Sequence, residues 1–255
     1  MANTNFIILI GGPGLFLGCD KAHDQTWLNY LVPMQLAAKR DLYNKGANEK
    51  VHWVVYEPSY KNRWKDDSVI TNAEKKQDDG YNLHSIRQTA ADRVKAKHAV
   101  NYLHRFQQIA SSLNIKYHGI SKPSEFWDYL AKMPDKSISR VWYSGHASGN
   151  GLMLSLEHDS SCGAIAKTNN MVMVSDIKTY KALSSKFISG KTSKFYGCYT
   201  SGFAQEWKRV FNVSAEGAYN KIDFGVIDKP SSIANVLTRI EQSVTSKGPA
   251  GWTKY

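Results

Sequence analysis

A chain of 255 residues with 42% hydrophobic and 22% charged positions can bury a core of its own, which excludes a disordered segment. Its formal charge of +11, from 33 Lys+Arg against 22 Asp+Glu, favours contact with something anionic, but the basic residues are scattered, as at Lys39-Arg40, Lys75-Lys76 and Lys208-Arg209, and read as a solvated surface. Three cysteines, Cys19, Cys162 and Cys198, are an odd number and argue against a disulfide framework, leaving a reducing compartment or a working thiol.

The chain opens with FIILIGGPGLFLGC at 6–19. The length suits the apolar region of a signal peptide, yet MANTN carries no basic residue and Gly11-Gly12-Pro13-Gly14 interrupts the run, so the segment is expected to be retained. The expected location is cytoplasmic, or outside the cell by a route without a cleavable signal. No stretch approaches the ~18 apolar residues of a membrane-spanning helix. Gly12, Gly14 and Gly18 after the strand at 6–10 invite a nucleotide reading, with Glu57 following the next strand. Their spacing departs from the dinucleotide fingerprint and Pro13 sits inside it, so a strand-to-helix turn that shapes a substrate crevice fits better.

Helical spacing then covers 27–44, and β-branched and aromatic residues mark a strand at 51–56. Residues 59–82 show no sustained period and alternate Asp66-Asp67 and Asp78-Asp79 with lysines, which predicts an exposed loop or insertion. A helix follows over 91–113, with Ala99, Tyr102, Phe106, Ile109 and Leu113 forming its apolar stripe. Next come a strand at 115–117 and, entered through Lys122-Pro123-Ser124-Glu125, a helix over 124–132. Strands at 141–143 and 195–196 and helices at 176–185, 203–211 and 233–244 complete the series. This alternation predicts one domain over 1–255, a three-layer α/β/α sandwich around a mostly parallel sheet. The working groups of such sheets sit beyond the carboxyl ends of the strands.

Two of those strand ends carry reactive side chains. RVWYSGHASGNGLML at 140–154 places a histidine among small residues after an apolar run, and KFYGCYTSGFAQEW at 194–207 has the same layout around a cysteine. A thiolate needs a proton carrier beside it, and a leaving amine needs an acid; one imidazole can do both. A strand end, a glycine turn and a helix start supply exposed backbone N–H groups and the positive end of a helix for developing negative charge. His146 precedes Cys198 by 52 positions, the distance that a βα unit plus a hairpin consumes.

In these two blocks the sequence resembles the clan CD cysteine peptidases, which include caspases, metacaspases, gingipains, legumains, separase and bacterial CHAT domains. These carry an apolar block ending in His-Gly and a second ending in a small residue and Cys. SGFAQEWKRVFNVSAEGAYNKIDFG after the cysteine also looks like the bacterial members, and the resemblance spans roughly 115–225. It implies a caspase-like fold and a thiol endopeptidase acting on a protein or peptide substrate without a cofactor or metal. His146 would be the proton carrier and Cys198 the nucleophile. The backbone N–H groups of Ala147 and Cys198 would form the oxyanion hole, with Gly145, Ser148, Gly197 and Tyr199 along the substrate groove. One departure is Ala147, where the family has glycine: strained if φ is positive there, harmless if it is negative. The caspase-type Gln-Ala-Cys is absent as well, so aspartate specificity is not implied.

Other readings start from other residues. Cys19 with His23, and His158 with Cys162, could supply a Cys₂His₂ zinc site, but neither pair has the Cys-x₂-Cys form and nothing in the sequence brings them together. The charge, with Trp64, Tyr81 and Trp252, leaves room for nucleic acid, although no recognition motif is present. An inactive caspase-like module that binds an acidic protein or nucleic acid is the alternative to the enzyme.

Overall fold

The computed structural model describes residues 4–12, 48–62, 101–158, 164–165, 168–222, 241 and 251–255. The chain enters through β1 (Thr4–Ile10) and β2 (Glu49–Tyr56), which runs directly into a helical segment at 57–62. Helix α1 (Tyr102–Ser112) precedes β3 (Lys116–Ile120), and α2 (Ser124–Ala131) precedes β4 (Ile138–Ser144). Five short strands follow: β5 (Ala147–Ser148), β6 (Gly151–Met153), β7 (Glu157–His158), β8 (Ala164–Ile165) and β9 (Met171–Met173). The series ends with α3 (Val174–Thr179), β10 (Ser193–Tyr196), α4 (Ser201–Phe211), β11 (Ala215–Ala218) and β12 (Trp252–Lys254).

Seven strands form one sheet in the order β12-β11-β10-β4-β1-β2-β3, parallel throughout except for β12 at the edge. Every residue of β1 from Phe6 to Ile10 is fully buried, as a parallel sheet covered on both faces requires. Ile7 and Leu9 face one core with Val54, Tyr143 and Phe195, beneath α2, α3 and α4. Phe6, Ile8 and Ile10 face the other with Trp53, Trp142 and Tyr196, where Phe106 and Ala110 of α1 and Tyr60 pack. Full burial of side chains of this size contributes about 1.5–3 kcal/mol each. The architecture is the predicted three-layer α/β arrangement.

Local chemistry fixes the helix ends. The Asn101 side chain accepts from the His104 N–H at the start of α1, and Glu125 accepts from the Ser121 and Lys122 N–H groups at the start of α2. α4 closes on Asn212 in the left-handed conformation, φ 55°.

Some boundaries differ from the sequence pattern. The strand expected at 115–117 runs through Ile120, because it pairs in register with β2 from His52 to Tyr56. The helix expected over 176–185 is α3 followed by a 3₁₀ segment, Lys181–Lys186; Tyr180 at the break stacks on Trp127 at 4.7 Å. Residues 59–62, expected as loop, are helical. The buried Tyr60 anchors them by donating to the Gly11 carbonyl at 2.6 Å and packing on Phe106. The rest of that loop (63–82), the helix at 27–44, the part of 91–113 before 101, and all of 233–244 except Glu241 lie outside the described residues.

From β1 the chain steps outward through β2 and β3, then returns to β4 on the other side of β1 and continues through β10 and β11. The strand order reverses between β1 and β4, and the carboxyl ends at such a reversal, here with β10 alongside, are where sheets of this kind bind ligands.

Candidate active site

The histidine turn and the cysteine turn leave neighbouring parallel strands at the same level. Ser144, the last residue of β4, pairs with Tyr196, the last of β10, and the Gly145 N–H donates to the Tyr196 carbonyl at 3.1 Å. His146 and Cys198 each lie two residues beyond that pair, on strands spaced about 4.8 Å apart. The turns touch: a Cβ placed on Gly197 would lie 2.6 Å from the Ala147 Cβ and 3.0 Å from the Gly145 carbonyl oxygen. Only glycine fits this approach of one backbone to the other.

The histidine turn is tied from below and from the side. Tyr143 Oη donates to the carbonyls of His146 and, at 2.6 Å, of Met153. The Met153 N–H also donates to the His146 carbonyl at 2.8 Å, closing the β5–β6 hairpin. Ala147 pairs with Leu152 in that ladder, next to the hydrogen-bonded pair His146–Met153. The alternation of an antiparallel ladder therefore turns the Ala147 N–H away from β6. Ala147 is not among the residues with positive φ and lies in extended backbone, so alanine is unstrained where the resembling family has glycine.

Thr200 organises the cysteine turn. Its buried hydroxyl donates to the carbonyls of Phe195 at 2.6 Å and Gly197 at 3.0 Å, and accepts from the Ala218 N–H at 3.0 Å. Its own carbonyl accepts from the Ala204 N–H, so the clasp passes directly into α4. Tyr199 occupies the left-handed region at φ 60°, a conformation that costs a side chain about 1–2 kcal/mol. Its N–H donates to the Asn220 carbonyl at 3.1 Å, past the end of β11.

His146 and Cys198 are both half-buried. Of the expected groove positions, Ser148 is half-buried and Tyr199 is 41% exposed, whereas Gly145 and Gly197 are buried against Tyr143 and Ala147 and serve the packing of the turns. Tyr219, 57% exposed, stands beside Asn220 on the same rim. The Tyr143 phenol is pushed well above its ordinary pKa, first by burial, then by Tyr60 and Cys198, so it stays protonated as a hydrogen-bond donor.

The other sequence candidates fall elsewhere. Gly12 packs under the helical segment at 57–62, since a Cβ there would lie 2.3 Å from the Ser59 Cβ; Gly14 and Gly18 lie outside the described residues. Glu57 accepts from Tyr117 Oη at 2.9 Å and pairs with Lys61 at 2.7 Å. It borders a cleft of about 450 Å³ at the ends of β2 and β3, with His118, Glu125, Asp128 and Lys132 also in its wall. Cys19, His23 and Cys162 lie outside the described residues, and His158 lies in β7. Among the described residues, no group of three or more His, Cys, Asp or Glu side chains is placed to hold a metal, and no helix is long and apolar enough to cross a membrane.

No family model matches the chain, and no curated protein matches it. Tyr143 and Thr200 are the two site residues that the sequence left unread. Tyrosine inside an apolar run looks like core, and Thr200 carries no signal beyond standing two residues after Cys198.

Proposed function

We propose that the protein is a caspase-like cysteine endopeptidase with Cys198 as nucleophile and His146 as proton carrier. One observation carries this reading: both side chains leave adjacent parallel strands, at the same level, through turns that pack on each other. The Cys198 thiolate attacks the scissile carbonyl carbon, and the resulting oxyanion takes hydrogen bonds from the N–H groups of Cys198 and Ala147. His146 gives a proton to the departing amine and leaves an acyl-thioester. It then takes a proton from water, whose oxygen attacks the thioester, releasing the acid and restoring the Cys198 thiolate beside a protonated His146. The exposed Tyr199 and Tyr219 border the path by which an extended peptide would approach.

Profiling against a peptide library tests the proposal. Cys198→Ala should lower turnover at least about 10³-fold and abolish thiol-directed labelling at this site, with the fold intact. Cleavage that survives in Cys198→Ala, or labelling that disappears only with Cys19→Ala, would overturn it.

A further inference from the structure

We propose that Tyr143 is the positioning residue of this site: its phenol proton, shared between the His146 and Met153 carbonyls, and its ring, packed under Gly145 and Gly197, hold the imidazole turn and the thiol turn in one register. The inference rests on the reading of His146 and Cys198 as the reacting pair.

Three neighbouring strands exit around this one side chain. β1 ends in Ile10-Gly11, β4 in Ser144-Gly145 and β10 in Tyr196-Gly197. A Cβ on Gly11 would lie 3.0 Å from Tyr143 Oη, and one on Gly145 would lie 2.4 Å from it. A Cβ on Gly197 would lie 3.2 Å from Tyr143 Cε1. The tyrosine fills the space that three side chains would otherwise occupy, and it is fully buried there. Packing alone would be met by phenylalanine, since the ring faces the apolar core with Leu9 and Phe195. The hydroxyl does something further: it bridges the carbonyl of the histidine itself to the hairpin strand behind it. The two carbonyls converge on it, and although the His146 carbonyl also accepts from the Met153 N–H, phenylalanine would remove the one donor that links both to β4. Cys198 is near enough for its charge to act on the phenol, so one side chain touches the surroundings of both reacting groups.

Tyr143→Phe keeps the ring and removes the bridge. The expected result is a fall in kcat of about 10- to 100-fold with KM nearly unchanged, since a displacement near 1 Å is enough for such a loss. The pH midpoint of Cys198 alkylation by iodoacetamide should rise, because the imidazolium no longer sits where it favours the thiolate. Gly145→Ala, which drives a Cβ into the phenol oxygen, should reproduce both effects. Ile177→Val in α3 removes a methyl group from the core cluster that holds Tyr143 while leaving the phenol bridge in place, and should move neither. Unchanged kcat and alkylation midpoint in Tyr143→Phe would overturn the proposal, and so would equal losses in Ile177→Val. If the wild-type chain cleaves no peptide, the endopeptidase reading fails alone. The alkylation profile and the His146 imidazole titration followed by NMR still decide the tether: a shift in Tyr143→Phe supports it, and none overturns it.

Discussion

At the amino ends of the central strands, Glu49 is buried between Ser139 Oγ, the Arg140 guanidinium at 2.7 Å and Lys191 Nζ at 3.1 Å, and Arg140 in turn lies 3.9 Å over the ring of Phe6. At the carboxyl ends, β1, β4 and β10 leave through glycines, and the contacts are carbonyl oxygens meeting a phenol and a threonine hydroxyl. One end joins the strands with charges removed from water; the other joins them with small residues and neutral hydrogen bonds. Burial alone would raise the pKa of Glu49, but the Ser139 hydrogen bond and the charges of Arg140 and Lys191 hold it below the ordinary carboxylate value. This difference suggests a division of labour in which strand alignment is secured far from the half-buried thiol and imidazole. The turns that carry them need then contribute only local geometry.

Glu49→Gln should break that division most severely if it is wrong. It takes the carboxylate away from the buried Arg140 guanidinium and from the partly exposed Lys191, at a cost of about 3–5 kcal/mol in denaturant unfolding. The labelling rate of Cys198 in the folded fraction should stay the same; a parallel loss would show that the two ends are coupled.

The next effect is one of pH. His52, also in the amino-end half, is bonded to Tyr129 Oη at 2.7 Å and to Asn5 Oδ1 at 2.9 Å. Burial, followed by the charges of Lys116 and Lys50, lowers its pKa from 6.5 to about 4. Between those values the unfolded chain binds more protons than the folded one. The stabilisation is therefore complete above about pH 6.5 and is lost as the pH falls toward about 4, amounting to no more than about 3 kcal/mol. Unfolding measured near pH 7 and near pH 5 should show this loss in the wild type and a flatter dependence in His52→Gln. Equal slopes in the two proteins would remove His52 from the account.

The smallest effect belongs to the carboxyl end. Ala147→Gly restores the residue of the resembling family, but Ala147 already lies in extended backbone, so the change should cost about 0.5–1 kcal/mol without raising the labelling rate of Cys198. A clear rise would show that the alanine impairs the site.

The sequence carried the sheet where its strands are long and buried on both faces. β1 and β4 read as apolar runs because helices cover them from both sides, and that same reading put His146 and Cys198 at strand ends. It failed where a strand exists only through its partner. Trp252–Lys254 is too short for any period and forms β12 because β11 offers an edge; the β5–β6–β9 sheet likewise depends on Met171–Met173 folding back onto Gly151–Met153. Tyr143 was legible as core and illegible as a bridge, since the Met153 carbonyl ten positions later reaches it only once the hairpin has closed. Thr200 was hidden for the same reason, its donor on Ala218 being 18 positions away.

The adjacency of β1 and β4 has a kinetic consequence. Ser139 bonds to the Asn5 carbonyl across 134 positions of chain, so the middle of the sheet joins segments that a nascent polypeptide meets far apart in time. Closing so wide a loop carries its entropic cost before any contact repays it, and chains rich in such pairings fold slowly. The histidine turn follows β4 directly, so the strand that carries it is held in place by that long-range pairing.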